Sequence, residues 1–453
     1  MTSPAAGSSG AGAGAAAAPE RRLTLLDCVA IGVNGIIGSG VYLLLAPLAA
    51  RAGAASVVGL FACGALCLAI ALCFAELSGM FDRSGGTYVY AQAAFGRTAG
   101  FAVGCMSTTT GVLAFAAVAR GFAEALGVAV PALGPAGKSA VAVGLVLGFS
   151  AVNVLGVKAG ARTSDALSII KMVPLVALAV GGLAYVRADV VSGMFQAPAS
   201  GGTWGGAVAG SAFLAVFMYS GFEFVAVPAG EARDAKRTVP LAILGSLVGS
   251  MALYCVVQLV AVSVLPDLGS RQHALMDVAF QLAGERGRAV LWVASLVSML
   301  GFVAGSALVA PRYCTALAED GYLPLALTRR NGRGAPVAAI AASALASSAL
   351  ALWLGYESLV DVSNVVLFGQ YVPAALAVPV LRWRRREAPR RYVLPFGPLI
   401  PGVALAGSLA LFWTVRPGAE QWLFSGKILL LGAVVWGLTV AGRRVLASGG
   451  RAG

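Results

Sequence analysis

Long apolar runs, separated by short polar or glycine-rich segments, cover most of this chain of 453 residues. A helix needs about 20 apolar residues to cross a hydrocarbon layer about 30 Å thick. On this criterion we predict twelve membrane-spanning helices, centred near residues 37, 67, 110, 147, 175, 216, 252, 300, 345, 374, 405 and 431. The loops between them are too short for a soluble domain, so the pattern predicts one all-α membrane domain.

Two of the predicted spans are interrupted near their middle by residues that weaken a helix. The first contains GIIGSG at residues 35–40, and the sixth contains YSG at residues 219–221. Non-helical backbone at membrane depth is stable only where it is buried in protein or lines a cavity. Paired broken helices in the two halves of a transporter mark its binding site. The interruptions therefore predict a ligand site, although small residues also let helices pack closely.

The spacing of the interruptions predicts an internal repeat. Each begins a unit of five spans, and an odd number of crossings gives the second unit the opposite orientation. We predict a disordered tail at residues 1–20 and a single transmembrane domain at residues 21–445. That domain divides into repeat one at about 23–187, repeat two at about 205–382, and two further helices at about 399–442.

The charges indicate topology rather than nucleic-acid binding. The net charge is +13, but only 11% of residues are charged and 59% are hydrophobic, which excludes a soluble protein. If both termini are cytoplasmic, 22 basic residues fall on the inner side and 9 on the outer side, as the positive-inside rule requires. The basic segment 382–391 is then an inner anchor facing anionic lipid, and His273 lies in an outer loop.

Residues for covalent or metal chemistry are missing from the sequence pattern. The seven cysteines lie in or at the ends of apolar spans, and the single histidine lies in a predicted loop. The sequence has no phosphate-binding loop, metal-ligand spacing or membrane-depth catalytic set. We therefore expect neither an enzyme nor a cofactor.

Five motifs in order resemble the amino acid–polyamine–organocation (APC) superfamily, over about residues 23–440. The resemblance implies a leucine-transporter-type fold of twelve helices, a five-plus-five inverted repeat and broken helices 1 and 6. One departure, Arg233-Asp234-Ala235 where the family usually carries Lys-Asn-Pro, lies in a predicted cytoplasmic loop. The motifs are GVNGIIGSGVY at 32–42, AELSGMF at 75–81 with SGGTYVY at 84–90, NVLGVK at 153–158, APRY at 310–313 with AEDGYLP at 318–324, and LPFGP at 394–398.

The function implied by this resemblance is secondary transport of amino acids across the cytoplasmic membrane by alternating access, with protons as the coupling ion. The partners are then an amino acid, protons and the lipid bilayer, with a monomer and a homodimer both open. Alternatives are an exchanger, a polyamine or amine permease, and a nutrient sensor without flux. An amine permease would need a second carboxylate in the pocket, for which Glu223 is the obvious donor.

A zwitterionic substrate needs fixed polar partners in place of water. The N–H groups of Ser39 and Gly40 are expected to hold the carboxylate, and freed carbonyls of the sixth helix to hold the ammonium. By resemblance, these carbonyls belong to Phe217, Met218 and Ser220. The predicted substrate-binding residues are Ile37, Gly38, Ser39, Gly40, Phe217, Met218, Tyr219, Ser220 and Phe222.

Lys171 is the predicted coupling residue, because an ionisable group within a membrane helix is rare and usually functional. The resemblance implies that Lys171 corresponds to a fifth-helix lysine of proton-coupled members, whose ammonium lies where sodium lies in sodium-coupled members. The alternative is that Lys171 is an anchor whose side chain snorkels to the membrane surface. The eighth helix has no hydroxyl between Ser298 and Ser306, which disfavours sodium, although whether either serine reaches the site stays open. Glu223 and Glu76 are further candidates for a gate or coupling, with a solvated charge and an interfacial ion pair as their respective alternatives.

Overall fold

A computed structural model describes residues 23–81, 83–155, 171–197, 202–390, 392–415 and 418–449. The predicted tail and residues 156–158 of the fourth-to-fifth motif lie outside the described residues. Within them, regular structure is helical apart from one isolated bridge between Leu23 and Ala232. The α-helices are α1 (Leu25–Ile36), α2 (Gly40–Leu43), α3 (Leu45–Ala52), α4 (Ser56–Ser78), α5 (Thr87–Phe95), α6 (Arg97–Ala129), α7 (Pro135–Val154), α8 (Lys171–Tyr185), α9 (Ala188–Gly193), α10 (Trp204–Tyr219), α11 (Ala235–Val264), α12 (Ala274–Glu319), α13 (Val337–Trp353), α14 (Tyr356–Arg384), α15 (Leu399–Val415) and α16 (Ala419–Gly449).

Nine helical segments in the described part of the chain are long and apolar enough to cross a membrane. Three shorter apolar helices, Lys171–Tyr185, Val337–Trp353 and Leu399–Thr414, lie where the fifth, ninth and eleventh spans are predicted. The protein is thus an all-helical, multi-pass membrane protein. Helices α15 and α16 pack on the outside of the bundle, against α4, α6, α10 and α14.

The first interruption lies between α1 and α2. Helix α1 begins with a capping box, in which Thr24 and Asp27 each bond the other's main-chain N–H, and such boxes satisfy the free donors of a first turn. The helix ends at Ile36, and residues 37–39 are bends before α2 begins at Gly40. The helix therefore stops inside the glycine-rich sequence that predicts an interruption.

The second interruption follows α10, which ends at Tyr219. Ser220 is extended (ψ 151°), and Gly221 has φ +112°, a conformation that glycine adopts without the steric cost of a Cβ. Short 3₁₀ helices at Phe222–Ala226 and Ala229–Glu231 then lead towards α11.

Helix α12 consists of two arms. Ala283 and Gly284 have non-helical dihedral angles, and Gly284 has φ +65°, so the axis changes direction there. The first arm buries Leu275, Met276 and Val278, which seats it on the bundle. The second arm runs alongside α1 and α6 and carries the residues of the predicted eighth span.

Candidate functional site

The two interruptions cross each other through two glycines. A Cβ atom on Gly35 would lie 2.7 Å from the carbonyl oxygen of Gly221, and one on Gly221 would lie 2.2 Å from the carbonyl carbon of Gly35. Neither position accommodates a side chain, because the opposing atoms belong to the main chain. The crossing brings together two segments that lie far apart in the sequence.

Lys171 points at the first interruption. Its side chain is fully buried, and Nζ donates to the carbonyl oxygen of Ile37, with that of Val33 at 3.5 Å. These carbonyls belong to the C-terminal end of α1, where the helix dipole favours a positive charge. The amine therefore faces the broken helix, and in this conformation it does not reach towards the membrane surface.

Two hydroxyl groups donate to the same stretch of main chain. Ser298 Oγ lies 2.9 Å from the carbonyl oxygens of both Ile37 and Gly38. Tyr254 OH donates to the Ile36 carbonyl oxygen at 2.9 Å. Ser298 thus reaches the first interruption, a point that the sequence alone did not decide. Together with Lys171, these hydroxyls supply side-chain donors to carbonyls at the end of α1 and in the interruption itself.

The N–H groups after those carbonyls remain available. Among the described residues, nothing accepts a hydrogen bond from the main-chain N–H of Ser39 or Gly40. These groups begin a helix, where N–H dipoles favour an anion. The main chain of Met218 lies close by, since a Cβ on Gly40 would be 3.1 Å from its Cα. The carboxylate-binding residues predicted from the sequence therefore lie next to the sixth helix.

At the second interruption, the carboxylate of Glu223 accepts hydrogen bonds. Glu223 Oε2 accepts from the main-chain N–H of Gly221 at 2.9 Å and from Tyr371 OH at 3.1 Å. Its other oxygen, Oε1, is buried and has no partner within the described residues. Glu223 therefore holds the turn at Gly221 and retains one carboxylate oxygen for another donor.

The end of α10 leaves several carbonyl groups free. The Phe217 carbonyl accepts from Ser220 Oγ at 2.8 Å. The carbonyls of Met218, Tyr219 and Ser220 receive no hydrogen bond from any residue that the structure describes. Of the three carbonyls that the resemblance implies for binding the ammonium, those of Met218 and Ser220 thus have no donor among the described residues, while that of Phe217 already has one.

Apolar and aromatic side chains surround the crossing. A Cβ on Gly38 would lie 2.7 Å from the Phe302 ring, so this ring covers the first interruption. Phe222 stacks on Tyr371 with ring centroids 5.5 Å apart, and Phe74 meets both rings edge-on. Phe222 therefore belongs to an aromatic cluster behind Gly221.

The Tyr219 side chain packs against neighbouring helices. Its ring packs on Tyr254 at 5.5 Å, and its hydroxyl lies 3.1 Å from where a Cβ on Gly64 of α4 would be. The structure thus places the Tyr219 side chain between α4 and α11, while its carbonyl remains at the interruption.

The sequence profile of the family described as amino acid permease matches residues 23–434. The chain belongs to the amino acid permease family. An uncharacterised transporter of Mycobacterium tuberculosis is 30% identical over 408 residues, covering 86% of this chain and 87% of the relative. The branched-chain amino acid permease BcaP of Lactococcus lactis is 26% identical over 440 residues, covering 91% and 93%. The methylthioribose transporter of Bacillus subtilis is 24% identical over 434 residues, covering 92% of each.

These similarities agree with the resemblance to the APC superfamily drawn from five motifs. They indicate a membrane transporter rather than an enzyme, and membership of an amino acid permease family implies a small-molecule substrate of the amino acid class. In the described residues no group of three His, Cys, Asp or Glu side chains is arranged to hold a metal ion.

Glu76 lies in an ion-pair network of this permease, away from the interruptions. Its carboxylate accepts from Arg382 at 2.8 and 2.5 Å and from the main-chain N–H of Leu394 at 2.8 Å. Arg390 Nε lies 3.7 Å away. Glu76 thus joins the end of α4 to the end of α14 and to the LPFGP segment. This arrangement corresponds to the ion pair considered from the sequence as the alternative for Glu76.

A second buried ion pair was missed from the sequence. Arg312 Nε lies 3.1 Å from Glu231 Oε1, and both side chains are only 3% exposed. Leu23 brackets this acid: its N–H donates to the Glu231 carbonyl at 2.9 Å, and its carbonyl accepts from Arg233 N at 3.0 Å. The rule that selected Lys171, an ionisable residue within an apolar helix, applies equally to Arg312. Applied to Arg312, this rule would have identified the buried ion pair.

Proposed function

We propose that this permease is a secondary active transporter that moves amino acids across the cytoplasmic membrane by alternating access. The supporting observation is that, within the described residues, N–H groups at the first interruption and carbonyls at the second have no hydrogen-bond partner. N–H groups remain at Ser39 and Gly40, and carbonyls remain at Met218, Tyr219 and Ser220. An amino acid carries the complementary pair, a carboxylate and an ammonium on one carbon, and both need such partners in a dry site.

The side chain of the substrate is proposed to be uncharged and aliphatic. The side chains closest to the crossing are apolar, with Met218 against Gly40 and Phe302 against Gly38. Lys171 is bonded to main chain, and Glu223 bonds Gly221. A relative at 26% identity is named a branched-chain amino acid permease, which supports the same class.

The proposed architecture is twelve spans with a five-plus-five inverted repeat and the domain boundaries given above. Both termini and the segment 382–391 are cytoplasmic, and the loop with His273 is outside, because 22 basic residues then lie inside and 9 outside. We expect a membrane-impermeant thiol reagent applied to intact cells to label a cysteine at His273 and not one at Arg386. The reverse labelling would overturn this orientation.

We propose that transport is driven by protons through Lys171 and does not require sodium. Burial disfavours a charged amine, whereas the Ile37 and Val33 carbonyls favour the ammonium. Opening the site to either side of the membrane changes that balance, so protonation and conformation are linked. The Lys171 amine is bonded to main-chain carbonyls of the kind that can bind a metal cation. This supports the proposal that transport is independent of sodium.

Closure on the inner side is assigned to two features. Glu231 and Arg312 join the end of the sixth span to α12 as a buried pair. Glu223, Tyr371 and Phe222 form an aromatic and acidic layer behind Gly221, and this layer supports the proposal that Glu223 acts as a gate.

An amine permease is the second candidate. Glu223 Oε1 is buried without a partner among the residues described, so a carboxylate oxygen is available to a second ammonium group. A substrate such as putrescine would use it.

Uptake into proteoliposomes tests these proposals. We expect radiolabelled leucine to accumulate under an inward proton gradient and to be unaffected by a sodium gradient. Unlabelled aliphatic amino acids should compete, and N-acetyl-leucine, leucine methyl ester and putrescine should compete poorly. Equal competition by the two derivatives would refute the binding mode, and uptake of putrescine in place of leucine would favour the amine permease.

A further inference from the structure

Tyr356 connects both interrupted helices, although no motif singles it out. It is the first residue of α14. Its hydroxyl lies 3.0 Å from Ser39 Oγ, and its ring meets the Phe217 ring edge-on, with centroids 6.3 Å apart. One side chain thus contacts the start of α2 and the last turn of α10.

The bundle makes room for this side chain at a glycine. A Cβ on Gly121 of α6 would lie 3.2 Å from Tyr356 Cε2 and 3.3 Å from a methyl group of Leu43. Tyr356 is partly exposed and Glu357 after it is exposed, whereas Ser39 is buried. The tyrosine therefore extends from an exposed helix end down to the buried serine and covers it.

The two hydroxyl groups leave one hydrogen unused. Each hydroxyl carries one donor and can also accept, so a single bond between Ser39 and Tyr356 consumes only one of their two hydrogens. Neither hydroxyl makes another hydrogen bond with the residues that the structure describes. A donor therefore remains next to the free N–H groups of Ser39 and Gly40, where an anionic group would accept it.

We propose that Tyr356 is a substrate-positioning residue of this permease: its hydroxyl, together with Ser39, donates to the substrate carboxylate, and its ring caps the site against Phe217. This rests on the proposed function. In the proposed orientation α14 begins on the outer side, so the cap lies between the substrate and the exterior. Tyr356 then discriminates between substrates with and without a carboxylate.

Kinetics of two variants test the proposal. Tyr356→Phe keeps the ring on Phe217 and removes the hydroxyl, and Tyr356→Ala removes both. We expect Tyr356→Phe to raise KM for leucine about tenfold, the size typical of a lost hydrogen bond to a charged group, with Vmax close to that of the unmodified protein. The inhibition constant of isopentylamine, which keeps the side chain and the ammonium of leucine but has no carboxyl oxygen to accept a hydrogen bond, should stay unchanged. Tyr356→Ala should raise KM further. Tyr185→Phe, at a tyrosine that is 53% exposed, is the matched control and should change nothing.

The outcomes separate this proposal from the proposed function. If the unmodified protein transports leucine and Tyr356→Phe keeps its KM, the tyrosine does not position the carboxylate and amino acid transport still stands. An equal loss of affinity for leucine and isopentylamine would reduce Tyr356 to a packing role. If the unmodified protein neither binds nor moves any amino acid, the proposed function fails and this proposal fails with it.

Discussion

The two interrupted helices are stabilised by the protein in opposite ways. At the first, Lys171, Ser298 and Tyr254 donate to carbonyls, and the N–H groups of Ser39 and Gly40 have no acceptor in the described part of the chain. At the second, Glu223 accepts from the N–H of Gly221, and the carbonyls of Met218, Tyr219 and Ser220 have no donor among the residues described. Each interruption therefore keeps the main-chain group that complements one charge of an amino acid.

The physical reason for this difference lies in the ends of the helices. A broken helix exposes carbonyls at its C-terminal end and N–H groups at its next start, and an unpaired group in a dry interior costs free energy. If the protein satisfied both sets, no partner would remain for a ligand. Lys171, Ser298 and Tyr254 fill carbonyls at the first interruption, and Glu223 fills the N–H of Gly221 at the second. The proposed zwitterionic substrate would use the groups that remain.

Loss of the glycine crossing should have the largest effect on this arrangement. Gly221→Ala places a Cβ against the Gly35 carbonyl and in an unfavourable φ, where backbone strain alone costs about 1–3 kcal/mol. We expect a lower melting temperature and no leucine binding, measured by thermal shift and scintillation proximity. Gly245→Ala, where the added Cβ meets nothing within 4 Å, is the control. Normal binding by Gly221→Ala would show that the crossing is not needed.

Gly40→Val should remove the anion-binding half while leaving the protein folded. The added side chain meets Met218 and denies the carboxylate its two N–H partners, so we expect leucine affinity to fall about 100-fold or more. Monodispersity in detergent and leucine binding are the measurements. Gly249→Val, at an exposed glycine with nothing within 4 Å, should bind normally. Retained affinity in Gly40→Val would place the carboxylate elsewhere.

Lys171→Ala should separate binding from coupling. Ser298 still donates to the Ile37 carbonyl and Tyr254 to the Ile36 carbonyl, so the first interruption keeps two of its three donors and leucine binding should persist. Accumulation driven by a proton gradient should be lost. Lys138→Ala, a partly exposed lysine near Glu124, should accumulate leucine normally. Proton-driven accumulation by Lys171→Ala would move the coupling site to Glu223.

Glu223→Gln should have the smallest effect on leucine. The amide oxygen of glutamine can still accept from Gly221 and Tyr371, so we expect KM for leucine to change by less than about threefold. The same variant sharpens the choice of substrate class. If the permease takes diamines, putrescine uptake by the unmodified protein should disappear in Glu223→Gln, because the second ammonium loses its counter-charge.

Some features of the site were accessible from residue types alone. The sequences GIIGSG and YSG indicate where helices end, and α1 and α10 end at Ile36 and Tyr219. Lys171 was accessible because an ionisable residue stands out in an apolar span. Ser298, Tyr254 and Tyr356 carried no comparable signal, since hydroxyl groups are common in membrane helices and only their contacts distinguish these three.

The sequence by itself determined the apolar spans, the family resemblance and the two interruptions, because glycine weakens a helix locally and apolar length is counted along the chain. Tertiary structure decided which main-chain groups are filled. The donors to Ile36 and Ile37 come from residues 134, 218 and 261 positions away. A helix that is apolar on all sides carries no stripe to fix its rotation, so the side that faces the interruption follows only from packing within the bundle.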